Sequence, residues 1–175
     1  MRKDKFNLRK EFAKTYDDLS DALFRHCFFR LSDRERALDL MQETFIRVWN
    51  VLANEREEIK NLKAYLYKTA NNLIIDEYRA RRETVSVEAM RESGVDIKDE
   101  STTIETDIEV SIGFGHVFEV LQGLDEKYKD AVIMRYIDQL SLKEIASITG
   151  ETVSNVAVRV NRGLKQVKAL IENGK

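Results

Sequence analysis

Side chains able to make bonds or hold metals are few in this chain. Cys27 is the single cysteine, so no intramolecular disulfide can form. Together with His26 and His116 it is too little for an ordinary structural zinc site. Cys27 reads as a small buried apolar group, and His26 as a surface or satisfied core residue rather than a ligand. There is no Gly-rich phosphate loop. The Ser, His and Asp residues show no nucleophile arrangement. The sequence therefore predicts no enzyme, no cofactor and no metal. What remains is a chemistry of recognition, carried by amides, hydroxyls and cations.

That chemistry is densest between Ser141 and Gly163, SLKEIASITGETVSNVAVRVNRG. Ser141 and Glu144 form an S-x-x-E capping box that opens a short helix. Gly150 takes positive φ at a turn without steric cost, and Thr152 can cap a second helix. Ala146 is small where the two helices cross, and Ile145, Ile148, Val156 and Val160 lock the crossing. This is a helix-turn-helix pattern. The outer face of its second helix carries Ser154, Asn155, Ala157, Val158, Asn161 and Arg162, with Arg159 and Lys165 placed for phosphates. A helix of this diameter fits the DNA major groove, where Arg and Asn read base edges. Glu151 stands at a turn position that is commonly apolar.

The elements that must position these residues are helical nearly throughout. Phe12, Tyr16, Leu19, Leu23 and Cys27 step by three or four residues, the period of one helix face. Ser32 and Glu35 predict a second capping box, followed by a stripe of Ala37, Leu40, Met41, Phe45, Val48 and Leu52. A third stripe runs Leu62, Leu66, Ala70 and Leu73, with Tyr65, Ile74 and Tyr78 beside it. Periodicity fails from Glu83 to Ile112, with extended pieces expected at Thr84 to Val87, and resumes at Phe114. Asp125 is expected to cap the next helix. The predicted fold is all-α: two small helical domains, 1–82 and 113–175, joined by a flexible acidic linker, 83–112.

Composition agrees with that plan. Proline is absent and glycine numbers 7, which excludes collagenous sequence, Pro/Gly-rich linkers and a turn-dense sandwich. The net charge of −2 is a cancellation. Residues 1–85 hold 18 basic and 15 acidic side chains, residues 86–130 hold 4 and 12, and residues 131–175 hold 7 and 4. Two mildly basic modules flank a strongly acidic segment. No apolar run approaches bilayer length, and the charged start has no apolar segment behind it. A soluble cytoplasmic protein without membrane insertion is expected.

Within Asp39-Leu40-Met41-Gln42-Glu43-Thr44-Phe45-Ile46-Arg47-Val48-Trp49, the residues Asp39, Gln42, Glu43 and Ile46 recur at helical spacing and share an outward stripe. This block resembles the core-polymerase-binding segment of bacterial sigma factors. The block from Ala64 to Arg79 resembles the same family's promoter-melting helix. Leu124 to Tyr128, Met134 to Tyr136 and the helix-turn-helix resemble its minus-thirty-five domain. Three blocks in the family's order, with only two modules, resemble the extracytoplasmic-function (ECF) subgroup.

The resemblance implies an ECF-type sigma factor that binds RNA polymerase core and directs promoter recognition and melting. Asp39, Gln42, Glu43 and Ile46 would meet core, at the clamp helices, with Phe45 and Trp49 mostly packing. Residues 54 to 61 match a loop that captures a flipped non-template base. Asn54, Lys60, Asn61, Tyr67, Lys68, Asn72, Arg79, Arg81 and Arg82 would serve minus-ten DNA, and Asp76 would fix an Arg. Thr152, Ser154, Asn155, Ala157, Val158, Arg159, Asn161, Arg162 and Lys165 would serve the minus-thirty-five element. Implied partners are the beta and beta-prime subunits of core, promoter DNA as duplex and melted non-template strand, and an anti-sigma factor. Two departures stand out: the capture loop carries Glu55, Glu57 and Glu58, and Ala157 replaces a frequent basic residue. A helix-turn-helix regulator with a helical dimerisation or sensor domain is the alternative. It leaves the blocks at Asp39–Trp49 and Tyr65–Arg79 unexplained.

Overall fold

No proline interrupts the chain, and apolar side chains recur at helical spacing, so helix can propagate far. The computed structural model describes residues 5–54, 59–91 and 112–173. Among these residues there are seven α-helices and no strand. They are α1 (Lys5–Leu31), α2 (Arg34–Ala53), α3 (Leu62–Arg91), α4 (Ile112–Gln122), α5 (Glu126–Val132), α6 (Leu142–Thr149) and α7 (Val153–Asn173). A π-helical turn, Ile133–Ile137, continues α5. The all-α class read from the sequence holds.

The helix ends test the capping expectations one by one. Ser141 and Glu144 form their capping box, and Gly150 ends α6 at φ 75°. The Thr152 hydroxyl accepts from the Asn155 amide at 3.2 Å and caps α7. The box at Ser32 and Glu35 does not form. Ser32 takes φ 55° and ends α1, its amide donating to the Phe28 carbonyl at 2.9 Å. A residue in that left-handed conformation cannot also start the next helix, which needs an extended cap. Asp33 has that geometry, and its carboxylate accepts from the Arg36 amide at 2.9 Å. Asp125 occupies the cap position of α5 without capping it. Its carboxylate accepts from the Gln166 amide group at 2.8 Å and so ties α5 to α7.

The α3 helix also departs from expectation. It continues to Arg91, where the sequence predicts a linker from 83 and extended pieces at Thr84 to Val87. Extending an existing helix needs no new nucleus, so a weakly periodic, proline-free stretch can follow it. Residues 92–111 of the expected linker, and Glu55, Glu57 and Glu58 of the expected capture loop, lie outside the described residues.

Helices α1, α2 and α3 enclose two apolar clusters. One gathers Leu23, Met41, Phe45, Val48, Leu66 and Ala70, the other Cys27, Phe28, Leu31, Ala37, Leu40, Leu73 and Ile74. Two further clusters join the halves of the chain. Tyr67 of α3 sits among Met134, Leu140, Ile145, Val156 and Val160, and Phe29 of α1 among Leu121, Leu124, Val132 and Ile133. Gly163 lets α7 cross α5 closely: a Cβ there would lie 2.4 Å from Val132 Cγ2.

Candidate nucleic-acid interface

Three surfaces carry the residues singled out from the sequence. On α2, the residues Ala37, Leu40, Met41, Phe45 and Val48 turn inward, which leaves Asp39, Gln42 and Ile46 exposed and Glu43 half-buried. Ile46 is 59% exposed, unusual for its size. Glu43 pairs with Arg47 one turn on at 2.6 Å. Glu77 of α3 accepts from Arg36 at 2.6 Å, so the register of α2 against α3 is set by charge as well as packing. That contact holds the Glu77 carboxyl below its usual range.

The second surface is the start and outer face of α3. Asn54 donates to the Asn50 carbonyl at 2.7 Å, and Asn61 accepts from the Ala64 amide at 3.0 Å. Both asparagines thus finish helix ends while remaining exposed. Lys60, Asn61, Tyr65 and Lys68 line one cleft of about 290 Å³, which Ser147 of α6 borders. Lys68, Asn72 and Arg79 are exposed along α3. Arg79 pairs with Asp76 at 3.7 Å, the expected fixing contact. Arg81 pairs with Glu77 at 3.3 Å, and Arg82 with Glu126 of α5 at 3.0 Å. Exposed ion pairs of this kind are weak enough to exchange for phosphate.

Tyr67 does not join this surface. It is 1% exposed, because α6 and the π-helical turn close over it. Its expected contact with minus-ten DNA is unavailable in this arrangement.

The third surface is the outer face of α7. Ser154, Asn155, Val158, Asn161, Arg162 and Lys165 are all exposed and follow one helical stripe. Thr152 is exposed at its head, and Ala157 is half-buried at its flank. Arg159 points elsewhere: it pairs with Glu151 and donates to the Lys127 carbonyl at 2.7 Å. The expected phosphate contact is replaced by a brace across the turn, and the acidic residue at that turn is explained by its partner. Arg162 lies beside Tyr128, and the hydrogen bond it donates holds that phenol below its ordinary pKa.

Sequence reasoning missed a buried polar seam between the halves. His26 Nδ1–H donates to Asp138 Oδ2 at 2.6 Å. Arg30 donates to Asn71 Oδ1 at 2.9 Å and to His26 Nε2 at 3.2 Å, and approaches Asp130 at 3.2 Å. A guanidinium has no lone pair, so His26 Nε2 must accept, and the ring is neutral with its proton on Nδ1. Burial and the Arg30 charge both press the His26 pKa below 6.5, against the pull of Asp138 and Asp130. The available signal was on α3, where Tyr67 and Asn71 sit one turn apart beside the apolar stripe of Leu62, Leu66, Ala70 and Leu73; a helix buried beyond one stripe needs a further partner. Among the described residues, no three His, Cys, Asp or Glu side chains gather as metal ligands. Burial pushes the Cys27 thiol up to about 12, which keeps it an inert thiol.

Comparison with known proteins bears on these surfaces together. The models of sigma-70 region 2 and sigma-70 region 4 match residues 15–84 and 117–167, more than half of the chain between them. The ECF RNA polymerase sigma factor SigW of Bacillus subtilis is 27% identical over 163 residues, spanning 90% of this chain and 87% of that protein. SigX of Bacillus subtilis, also an ECF sigma factor, is 26% identical over 168 residues, spanning 94% and 86%. Among solved structures, the sigma factor RpoE in complex with the anti-sigma factor NepR from Bartonella quintana has the same fold. Its TM-score is 0.72 at 23% identity, covering 93% of this chain and 98% of that one. CnrH in complex with the cytosolic domain of CnrY gives 0.70 at 20% identity, covering 95% and 91%. With both regions present in the family's order on one helical chain, this protein belongs to the sigma-70 family, as an ECF-type sigma factor acting in transcription initiation.

Proposed function

We propose that the three surfaces divide the work of promoter-directed initiation. Asp39, Gln42, Glu43 and Ile46 dock on the beta and beta-prime subunits of RNA polymerase core. The stripe combines two carboxylates with one bare aliphatic side chain, the mixture suited to an interface with an apolar centre and a polar rim. Asn54, Lys60 and Asn61, with Lys68 and Asn72, hold the melted non-template strand near the minus-ten element. A base leaving the stack regains contacts in the cleft beside Tyr65, which biases the duplex toward opening. Arg79, Arg81 and Arg82 exchange their weak surface pairs for phosphates.

The C-terminal helix-turn-helix reads the minus-thirty-five element through Ser154, Asn155, Val158, Asn161, Arg162 and Lys165. Thr152 and Ala157 border that contact, and Arg159 sets the angle of α7. The N-terminal domain, lengthened by α3 to Arg91, and the C-terminal domain from 113 onward are the two working units, joined by the acidic connector. RNA synthesis itself belongs to the polymerase. The work takes place in the cytoplasm, and among the described residues no helix is long and apolar enough to cross a membrane. An anti-sigma partner fits this reading, since RpoE has this fold and is bound by one.

The observation that carries the proposal is the exposed, largely polar face of α7 on a capped helix-turn-helix. Transcription with purified core and sequencing of start sites tests it. Specific starts that disappear when Asp39, Gln42 and Glu43 are all changed to Ala, in a variant that stays folded, are the expected result. Duplex binding without any association with core would replace this reading with the stand-alone regulator.

A further inference from the structure

We propose that Val158 reads a thymine methyl group in the upstream promoter element, an inference that rests on the DNA-reading role of α7. Val158 stands mid-way along the exposed stripe and is 47% exposed, although it is aliphatic and β-branched. Ser154 and Asn155 lie one turn before it, and Asn161 and Arg162 one turn after, all exposed. The stripe therefore has a polar, cationic rim and one apolar centre. Burying that centre is favourable only against an apolar group. In the major groove the aliphatic group on a base edge is the C5-methyl of thymine. A cytosine at the same place would offer an N4 donor, which an isopropyl group cannot accept. The flanking amides suit the adenine of the same or a neighbouring pair, and Arg162 suits a guanine. The stripe thus selects an A·T pair under its centre.

The test uses holoenzyme assembled from core and the full chain, with a promoter identified by start-site sequencing. Each thymine of the upstream element is replaced singly by deoxyuridine, which lacks only the methyl. At one position the replacement should weaken wild-type binding about three- to fivefold, the cost of one lost methyl contact. Val158→Ala should bind the natural promoter about as weakly and ignore that replacement. Promoter binding in which no replacement distinguishes wild type from Val158→Ala overturns the inference alone. No selective promoter binding at all removes the reading on which it rests, and this inference with it.

Discussion

Helices α3 and α7 carry nearly the same chemistry, with amides, cations and aliphatic side chains at helical spacing, yet they meet different surroundings. The α3 helix is covered on two sides: α1 and α2 take most of its apolar residues, and α6 with the π-helical turn closes over Tyr67. The α7 helix is covered on one side and bare on the other. A tyrosine on α3 is therefore core, whereas a valine on α7 is surface. Burial, not residue type, decides which positions can meet DNA in this arrangement.

The sharpest test of that contrast is Tyr67→Ala. It empties a buried aromatic site and should cost about 3–5 kcal/mol of stability, read as a fall in the urea midpoint. A loss below about 0.5 kcal/mol, as at open surface sites, would place Tyr67 outside the core and erase the contrast. Gly163→Ala comes next. Its new Cβ would meet Val132 at 2.4 Å, and overpacking of this kind costs about 1–3 kcal/mol. A melting temperature at or above wild type would show that α7 can move off α5.

Acid should act on the seam rather than on α7. The groups facing His26 are Arg30 from α1, Asp130 of α5, Asp138 past the π-helical turn and the Tyr67 ring from α3. The folded pKa lies below 6.5, so the unfolded chain binds a proton that the native one refuses. This group leaves stability constant above about pH 6.5. Stability then falls with pH from there down to the folded pKa. Between about pH 7.5 and 5, wild type should lose more of its urea midpoint than His26→Gln, whose amide keeps both hydrogen bonds without titrating in this range. Equal losses would move the titration elsewhere.

The smallest effect on stability belongs to α7. Lys165→Ala should leave the urea midpoint unchanged, yet lower the salt dependence of promoter binding by about one phosphate contact. An unchanged salt slope would turn this face away from DNA and break the comparison from its other side.

Much of the fold was legible in advance, and for local reasons. Ser141, Glu144, Gly150 and Thr152 act within one helical turn of their partners, and each does what its spacing predicts. The outward stripes of α2 and α7 follow from helical period alone. Misreadings arose where two local solutions compete. Ser32 and Asp33 both can cap, and the conformation that ends α1 chose Asp33. Residues 83–91 lack periodicity, and helix continuation decided them. At the site, the position of Val158 was readable, but the direction of Arg159 was not. That direction depends on the Lys127 carbonyl, 32 residues away.

The sequence by itself determined the helices, their main caps, the helix-turn-helix and the polar face of α7, because these depend on hydrogen bonds and periodicity within a few residues. Tertiary structure alone decided that His26, Arg30, Tyr67 and Asn71 are interior. Their partners stand 112 residues apart for His26 and Asp138, and 41 for Arg30 and Asn71. Whether a polar side chain on a helix faces water or a carboxylate from the far half is set by how helices pack, which no local spacing encodes.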